Sequence, residues 1–442
     1  MEEKLVITGE RRLSGEITTA GAKNSVLKQM AAALLLPGTV CLRNVPSLND
    51  VYSMIEILEF LGAKVKFKNN FLEIDSADIS GSFAPHELVN KSRASFNVIG
   101  PLLARFHEAR VALPGGCQIG ARRLDLHEKG LKLLGASIKL DQGYMIAQAT
   151  KLRGTKIYLD LPSNGATENI MVASVLAEGE TVIENTACDP EIADLANFLN
   201  AMGANIQGAG THQITIKGIS QKDLKSIEYI PIPDRLEACT YLIGAISTGG
   251  DITINNVEPE HIKAATSKLE EIGVEISYPK PSTLYAKANG RRFNSLNIST
   301  GWFPGFPTDL QPIITVPLTV ASGTSTIKEN IYDDRFGHTN ELIRLGADIK
   351  INNNVAVIKG VESLSGTKIV AEDIRGGAGL VIAGLIASGT TEITGLDHID
   401  RGYENIVQKF NLLGAKIKRT KSVSVESTEQ ELKTKSPKTV NN

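Results

Sequence analysis

Apolar residues recur along this chain with two alternating periods, and the alternation itself repeats six times. Helical spacing predicts helices over residues 22–36, 92–105, 166–177, 234–247, 308–321 and 376–387. After each comes a short run of period two, as in Val182-Ile183-Glu184, which predicts a strand. Most of these runs are opened by a glycine: GTVCLRN at Gly38, GETVIEN at Gly179, GDITINN at Gly250, GTSTIKE at Gly323 and GTTEITG at Gly389. The second unit lacks that glycine and carries His107-Glu108-Ala109. A second helix then runs into LGAKV, LGASI, MGANI, IGVEI, LGADI or LGAKI, whose glycine is expected to stop it. Those glycines are Gly62, Gly135, Gly203, Gly273, Gly346 and Gly414, at spacings of 73, 68, 70, 73 and 68 residues. Each unit reads as helix, strand, loop, helix, strand. One such unit cannot bury both of its faces alone, so the copies must pack together.

Six copies most simply make two pseudo-symmetric α/β halves of three. The expected join is the Pro-rich stretch Tyr229-Ile230-Pro231-Ile232-Pro233. This gives a first domain over 23–230 and a second made of 1–22 plus 231–418. The strand at 4–7 would belong with the second domain, making a double-stranded hinge. Beyond Lys418 apolar periodicity stops, and 419–442 is expected to be a disordered tail.

Composition narrows the partners. With 47 Lys+Arg against 49 Asp+Glu the net charge is −2, which gives no support to a nucleic-acid or anionic-membrane surface. The N-terminus lacks a signal-peptide pattern, and the long uncharged stretch 310–327 is broken by Pro312, Pro317 and Gly323. Cys41, Cys117, Cys188 and Cys239 form no CxxC pair, and the seven histidines form no metal-binding motif. The expectation is a cytoplasmic monomer without metal or cofactor, acting on small molecules.

The repeat also aligns candidate chemistry. At the starts of the six first helices stand Lys23 and Asn24, Arg93, Thr167 and Glu168, Asp234 and Arg235, Asp309, and Arg375. On the loops after the strands stand Cys117 with Arg122, Asp189 with Glu191, Arg335, and Arg401. Helix N-termini present unpaired N–H groups, so several around one cleft would bind phosphate and carboxylate. The plainer reading is that these charges cap helices, and Thr308-Asp309-Leu310-Gln311 has the form of a capping box. Cys117 sits on the glycine loop of LPGGCQIGARRLDLH (113–127), where nearby Arg122 and Arg123 would lower a thiol pKa. A small residue filling a turn is the alternative there. Cys41 and Cys239, in apolar runs, read as inert core cysteines.

Several segments resemble the UDP-N-acetylglucosamine enolpyruvyl transferase family: GAKNSVLKQMAAALL (21–35), RASFNVIGPLLARF (93–106), the Cys117 loop, PSNGATENIM (162–171), PDRLEACTYLIGA (233–245), GFPTDLQPI (305–313), RFGHTNELIRLGA (335–347), DIRGGAGLVIAG (373–384) and HIDRGYENI (398–406). The resemblance runs in order from about residue 4 to 418. It implies a two-domain, six-repeat inside-out α/β barrel, the EPSP synthase-like fold. It also implies enolpyruvyl transfer from phosphoenolpyruvate to the 3′-hydroxyl of UDP-N-acetylglucosamine, the first committed step of peptidoglycan synthesis. On that resemblance Cys117 is the general acid, while Lys23, Arg122 and Arg401 hold the phosphate. Arg335, Arg375 and Arg401 surround the carboxylate, with Asn24 at the same place. Asp309 is base or orienter for the sugar hydroxyl. Asn24, Arg93, Arg122, Arg123, Leu124, Asp125, Leu126, Leu161, Pro162, Ser163, Asn164, Asp309 and Ile331 line the nucleotide-sugar site.

Leu161, Asn97 and Asp189 depart from the commoner family residues, a Lys, a bulky aromatic and a Glu. A cysteine at 117 implies sensitivity to the epoxide fosfomycin. The rivals are the sister transfer to shikimate 3-phosphate, an inactive regulatory paralogue, and a six-repeat DNA clamp, which the net charge disfavours.

Overall fold

The computed structural model describes residues 3–114 and 124–421. Six four-stranded sheets share one plan. In the third unit a short edge strand, Lys156–Tyr158, lies parallel to the central strand Glu180–Glu184. The central strand pairs antiparallel with Gln213–Lys217, which pairs antiparallel with Asn205–Gln207. Helix Asn164–Ser174 links the first two strands and helix Pro190–Ala201 leads from the second to Asn205–Gln207. Each unit therefore carries two strands more than periodicity predicts. A three-residue edge strand is too short to show a period, and a polar-faced hairpin return is easily read as loop.

Three sheets are completed by distant segments. Ile227–Tyr229 joins parallel to Thr39–Leu42 in the first. Ser14–Thr18 joins parallel to Asp251–Asn255 in the fourth. Glu3–Thr8 lies in the sixth between Thr390–Thr394 and Lys416–Lys421, antiparallel to both. The last of these strands runs past the expected end of the folded chain: Arg419 pairs opposite Leu5 and bonds Glu3 and Asp400.

Helices form the inside and sheets the outside. All of Arg235–Ser247 is buried, as is Ile374–Ile386 between its two end residues, so neither has a polar face. The strands alternate instead, with one face on the helices and one in solvent. Two apolar clusters result, one drawn from residues 26–224 and the other from 5–17 and 236–417. The chain crosses between them twice, side by side: Ala22 N–H donates to Ile232 O at 2.7 Å, and Asp234 N–H to Ala20 O at 3.0 Å.

The glycines of the LGA phrase all take left-handed φ, from +95° at Gly273 to +110° at Gly203, and end the second helices as expected. In the second unit His107, at φ 61°, ends helix Ile99–Phe106 in place of a glycine. Helix Lys23–Ala32 runs on into the 3-10 turn Ala33–Leu35 rather than stopping at a left-handed Gly38.

The Thr308 capping box does not form. Thr308 lies in a 3-10 turn, Thr308–Leu310, and its hydroxyl donates to Glu329 Oε2 at 3.0 Å. Buried Glu329 also takes the Thr300 hydroxyl at 2.8 Å, and its need for donors outcompetes the cap. Cys239 is buried and its thiol is pushed up to about 12 by burial, as an inert core cysteine should be. Cys41 is not core: it alternates with buried Val40 and Leu42 and faces outward, half-buried.

Candidate active site

The first helices of the repeat bring charged residues to the seam between the two clusters. Lys23 opens helix Lys23–Ala32, and its backbone N–H donates to Asp234 Oδ2 at 3.1 Å. Asp234 also caps its own helix through the N–H groups of Leu236 and Glu237. The buried Lys23 ammonium reaches Asp50 Oδ2 at 3.2 Å, and Arg401 Nε reaches Asp50 Oδ1 at 2.8 Å. Asp50 thus ties a lysine of the first cluster's lobe to an arginine of the second's.

On the opposite wall Asp309 sits between two guanidiniums. Arg335 Nη2 lies 2.9 Å from Asp309 Oδ1, and Arg375 Nε lies 3.5 Å from Asp309 Oδ2. Both arginines are buried. Arg375 also stacks over the Tyr403 ring at 5.2 Å, yet its Nη1 is buried without a hydrogen-bond partner. Burial lowers the Lys23 pKa, Asp50 opposes that shift, and the charges of Arg375 and Arg401 reinforce it. Lys23, Arg335, Arg375 and Arg401 pair with Asp50 and Asp309, and the Asp234 charge also acts on Arg375, so four cations face three carboxylates. A cluster left with surplus positive charge suits an anionic ligand.

The remaining first-lobe candidates gather a short way off. Leu124, exposed Asp125 and buried Leu126 start helix Asp125–Leu133, which packs on helix Asn164–Ser174. Ser163 caps that second helix by accepting from Ala166 N–H at 3.3 Å, and Leu161, Pro162 and Asn164 flank it. Arg93 begins the 3-10 turn Arg93–Val98 beside them. His127 is buried among these elements and pushed down to about 3, chiefly by burial and then by the Lys28 and Arg93 charges. Ile331 stands on the second lobe, its N–H held by Glu329 Oε1 at 2.8 Å, the carboxylate that also holds Thr308. Asn24 follows Lys23 on the helix, half-buried. Cys117, Arg122 and Arg123 lie outside the described residues.

Two departures have local partners. Asn97 is buried, donating to Glu168 Oε2 at 2.8 Å and accepting from Asn169 Nδ2 at 3.0 Å. Asp189 accepts from Arg235 Nη2 at 2.8 Å, beside Glu191 at 3.0 Å from Arg235 Nε. Leu161 is 43 % exposed.

Sequence reasoning missed Asp50, Tyr403 and His338. Asp50, in the first turn of helix Asn49–Phe60, occupies in the first unit the repeat position held by Arg335 and Arg401 in the last two, so the repeat contained the signal. Tyr403 and His338 are buried behind the arginines and look like ordinary core residues in sequence. Among the described residues no three His, Cys, Asp or Glu side chains gather as metal ligands would, and no helix is long and apolar enough to cross a membrane.

Six units wound with helices inside, in two sets of three, form a fold shared with solved enolpyruvyl transferases, and the cation cluster of this chain lies where the two sets meet. The enolpyruvyl transferase NikO from Streptomyces tendae shares the fold with a TM-score of 0.86 at 23% identity, over 96% of this chain and 100% of that one. An EPSP synthase from Acinetobacter baumannii does so with a TM-score of 0.75 at 17% identity, over 95% of this chain and 100% of that one. The family model described as EPSP synthase (3-phosphoshikimate 1-carboxyvinyltransferase) matches residues 7–410, and the chain belongs to that family, within its UDP-N-acetylglucosamine 1-carboxyvinyltransferase branch. Relatives named for that activity include one from Carboxydothermus hydrogenoformans, 50% identical over 94% of this chain and 99% of its own. Another, from Gloeobacter violaceus, is 51% identical over 94% of this chain and 90% of its own.

Proposed function

We propose that this protein transfers the enolpyruvyl group of phosphoenolpyruvate to the 3′-hydroxyl of UDP-N-acetylglucosamine and releases phosphate. The observation that carries the reading is the cation cluster, in which Arg375, with its buried Nη1 lacking a hydrogen-bond partner, lies with Lys23, Arg335 and Arg401. Phosphoenolpyruvate brings a phosphate and a carboxylate, which is the charge this cluster lacks. The names of the half-identical relatives supply the acceptor.

In this reading residues 23–230 form one domain and 1–22 with 231–421 the other, and they close on the substrates. Lys23, Arg122 and Arg401 take the phosphate, and Arg335, Arg375 and Arg401 surround the carboxylate. Asn24, Arg93, Arg122, Arg123, Leu124–Leu126, Leu161–Asn164, Asp309 and Ile331 hold the nucleotide sugar. Cys117 protonates C3 of phosphoenolpyruvate while the sugar oxygen, its proton passed toward Asp309, bonds to C2. Loss of phosphate and of a proton from C3 then restores the alkene. The cations stabilise the departing phosphate, and closure keeps water from the intermediate. The setting is the cytoplasm, the product feeds peptidoglycan synthesis, and fosfomycin alkylates Cys117.

The test is phosphate release from phosphoenolpyruvate with UDP-N-acetylglucosamine or shikimate 3-phosphate as acceptor, for wild type and Cys117→Ser. Release with the nucleotide sugar alone, reduced by about 100-fold or more in the variant, is expected. Release with shikimate 3-phosphate would reassign the acceptor, and none with either would overturn the transferase reading.

A further inference from the structure

One short turn, Arg401 to Glu404, makes two ties across the seam. The first, Arg401 to Asp50, lies inside the cation cluster. An arriving anion competes with Asp50 for both Arg401 and Lys23, so this tie weakens when it is most needed. The second tie uses no cation. Glu404 Oε1 accepts from Ser47 N–H at 3.0 Å and from Asn70 Nδ2 at 3.1 Å, both on the first lobe.

The receiving surface is braced. Val45 N–H donates to Asn70 O at 2.9 Å, and Asn70 Nδ2 donates back to Val45 O at 2.8 Å, so the two loops move as one. The turn is held from behind as well: Tyr403 is buried, its hydroxyl 2.9 Å from Thr240 Oγ1, with the Arg375 guanidinium over its ring. Anchored at Tyr403 and latched at Glu404, the turn can hold Arg401 in place with or without Asp50.

We infer that Glu404 is a positioning residue, a latch that holds the Arg401 turn against the first lobe and so favours the closed arrangement of the two lobes. It touches no reacting atom. Its kinetic consequence rests on the proposed transfer, but its geometric consequence does not. A latch acts through the fraction of molecules that are closed, so its loss weakens apparent substrate binding more than it slows the bound complex.

The experiment compares full-length wild type with Glu404→Ala, Glu404→Gln, Asn70→Gly and the Glu404→Ala/Asn70→Gly double variant, by phosphate-release kinetics and by solution scattering without substrates. Glu404→Ala is expected to raise KM for phosphoenolpyruvate about ten-fold, with kcat changed less than about three-fold, and to increase the radius of gyration. Glu404→Gln keeps the acceptor oxygen and should recover most of both. Asn70→Gly, which tolerates the left-handed φ of 59° there, should add little once Glu404 is gone. Wild-type KM and radius in Glu404→Ala, or a Gln variant as impaired as the Ala one, would overturn the latch. If Glu404→Ala does not fold, Asn70→Gly decides by the same two readouts: a raised KM with a larger radius of gyration is expected from loss of the Asn70 donor, and wild-type values of both would overturn the latch. If wild type releases no phosphate with any acceptor, the transfer reading fails, and the scattering comparison still decides the latch.

Discussion

Asp50 is the residue on which the candidate site turns. It neutralises part of Lys23 and of Arg401 at once, from a position 3 % exposed. Burial holds the Lys23 pKa below its ordinary value, and Asp50 is the group that opposes this. In Asp50→Asn that opposition is gone while Arg375 and Arg401 still push downward. The lysine must carry its proton to hold phosphate, so the alkaline limb of kcat/KM against pH is expected to move to lower pH. Leaving two cations without their shared partner should also cost about 3 kcal/mol of stability. A variant whose alkaline limb coincides with that of wild type would mean that Lys23 does not hold the phosphate as an ammonium.

At the scale of elements, the site depends on how closely the inner helices approach. Gly379 lies one turn after Arg375, and a Cβ there would sit 2.8 Å from the carbonyl oxygen of Pro312 on helix Gln311–Leu318. Backbone cannot yield as a side-chain tip can. Gly379→Ala is therefore expected to push the two helices apart, costing about 1–3 kcal/mol. It should also lower turnover beyond that loss, because Arg375 and Asp309 ride on the displaced ends. Thermal midpoints and phosphate release measured together check this; a lowered midpoint with wild-type turnover would show that the site tolerates the shift.

The same elements show what the sequence made legible. Six LGA glycines mark six helix ends because a left-handed residue is required there, and that requirement fixed the repeat and its length. Hairpin returns such as Gln213–Lys217 carried too little period to be read. Lys23, Asp309, Arg335, Arg375 and Arg401 were visible as charges at repeated positions. Asp50 stands at the same repeated position but is passed over there because it is a carboxylate where the later units carry arginine. Glu404 was not legible, because its partner Ser47 lies 357 residues away in the chain and only folding brings them together.

For the whole molecule, the apolar clusters are separate while the ties named here across the seam are polar, so the two lobes should lose structure separately. Each also hides a neutral histidine. His127, in the first, is pushed down to about 3, mainly by burial; its Nδ1 lies 2.9 Å from Asn169 Nδ2 and accepts from that amide, so a proton there would oppose it. His338, in the second, is pushed down to about 4 by burial and the Arg335 charge, against the pull of Asp373. Both folded values lie below the unfolded one of about 6.5, so the unfolded chain takes up protons first as pH falls. Stability is then whole above about pH 6.5 and declines below it, by about 1.4 kcal/mol per pH unit for each histidine until its folded pKa is reached. Calorimetry is expected to resolve two transitions at neutral pH, both moving to lower temperature between pH 6.5 and 5. His338→Gln should flatten that dependence for one transition only. A single transition whose calorimetric and van't Hoff enthalpies agree would instead mean that the polar seam binds the lobes into one cooperative unit, and a latch such as Glu404 would then have no independent lobe to hold.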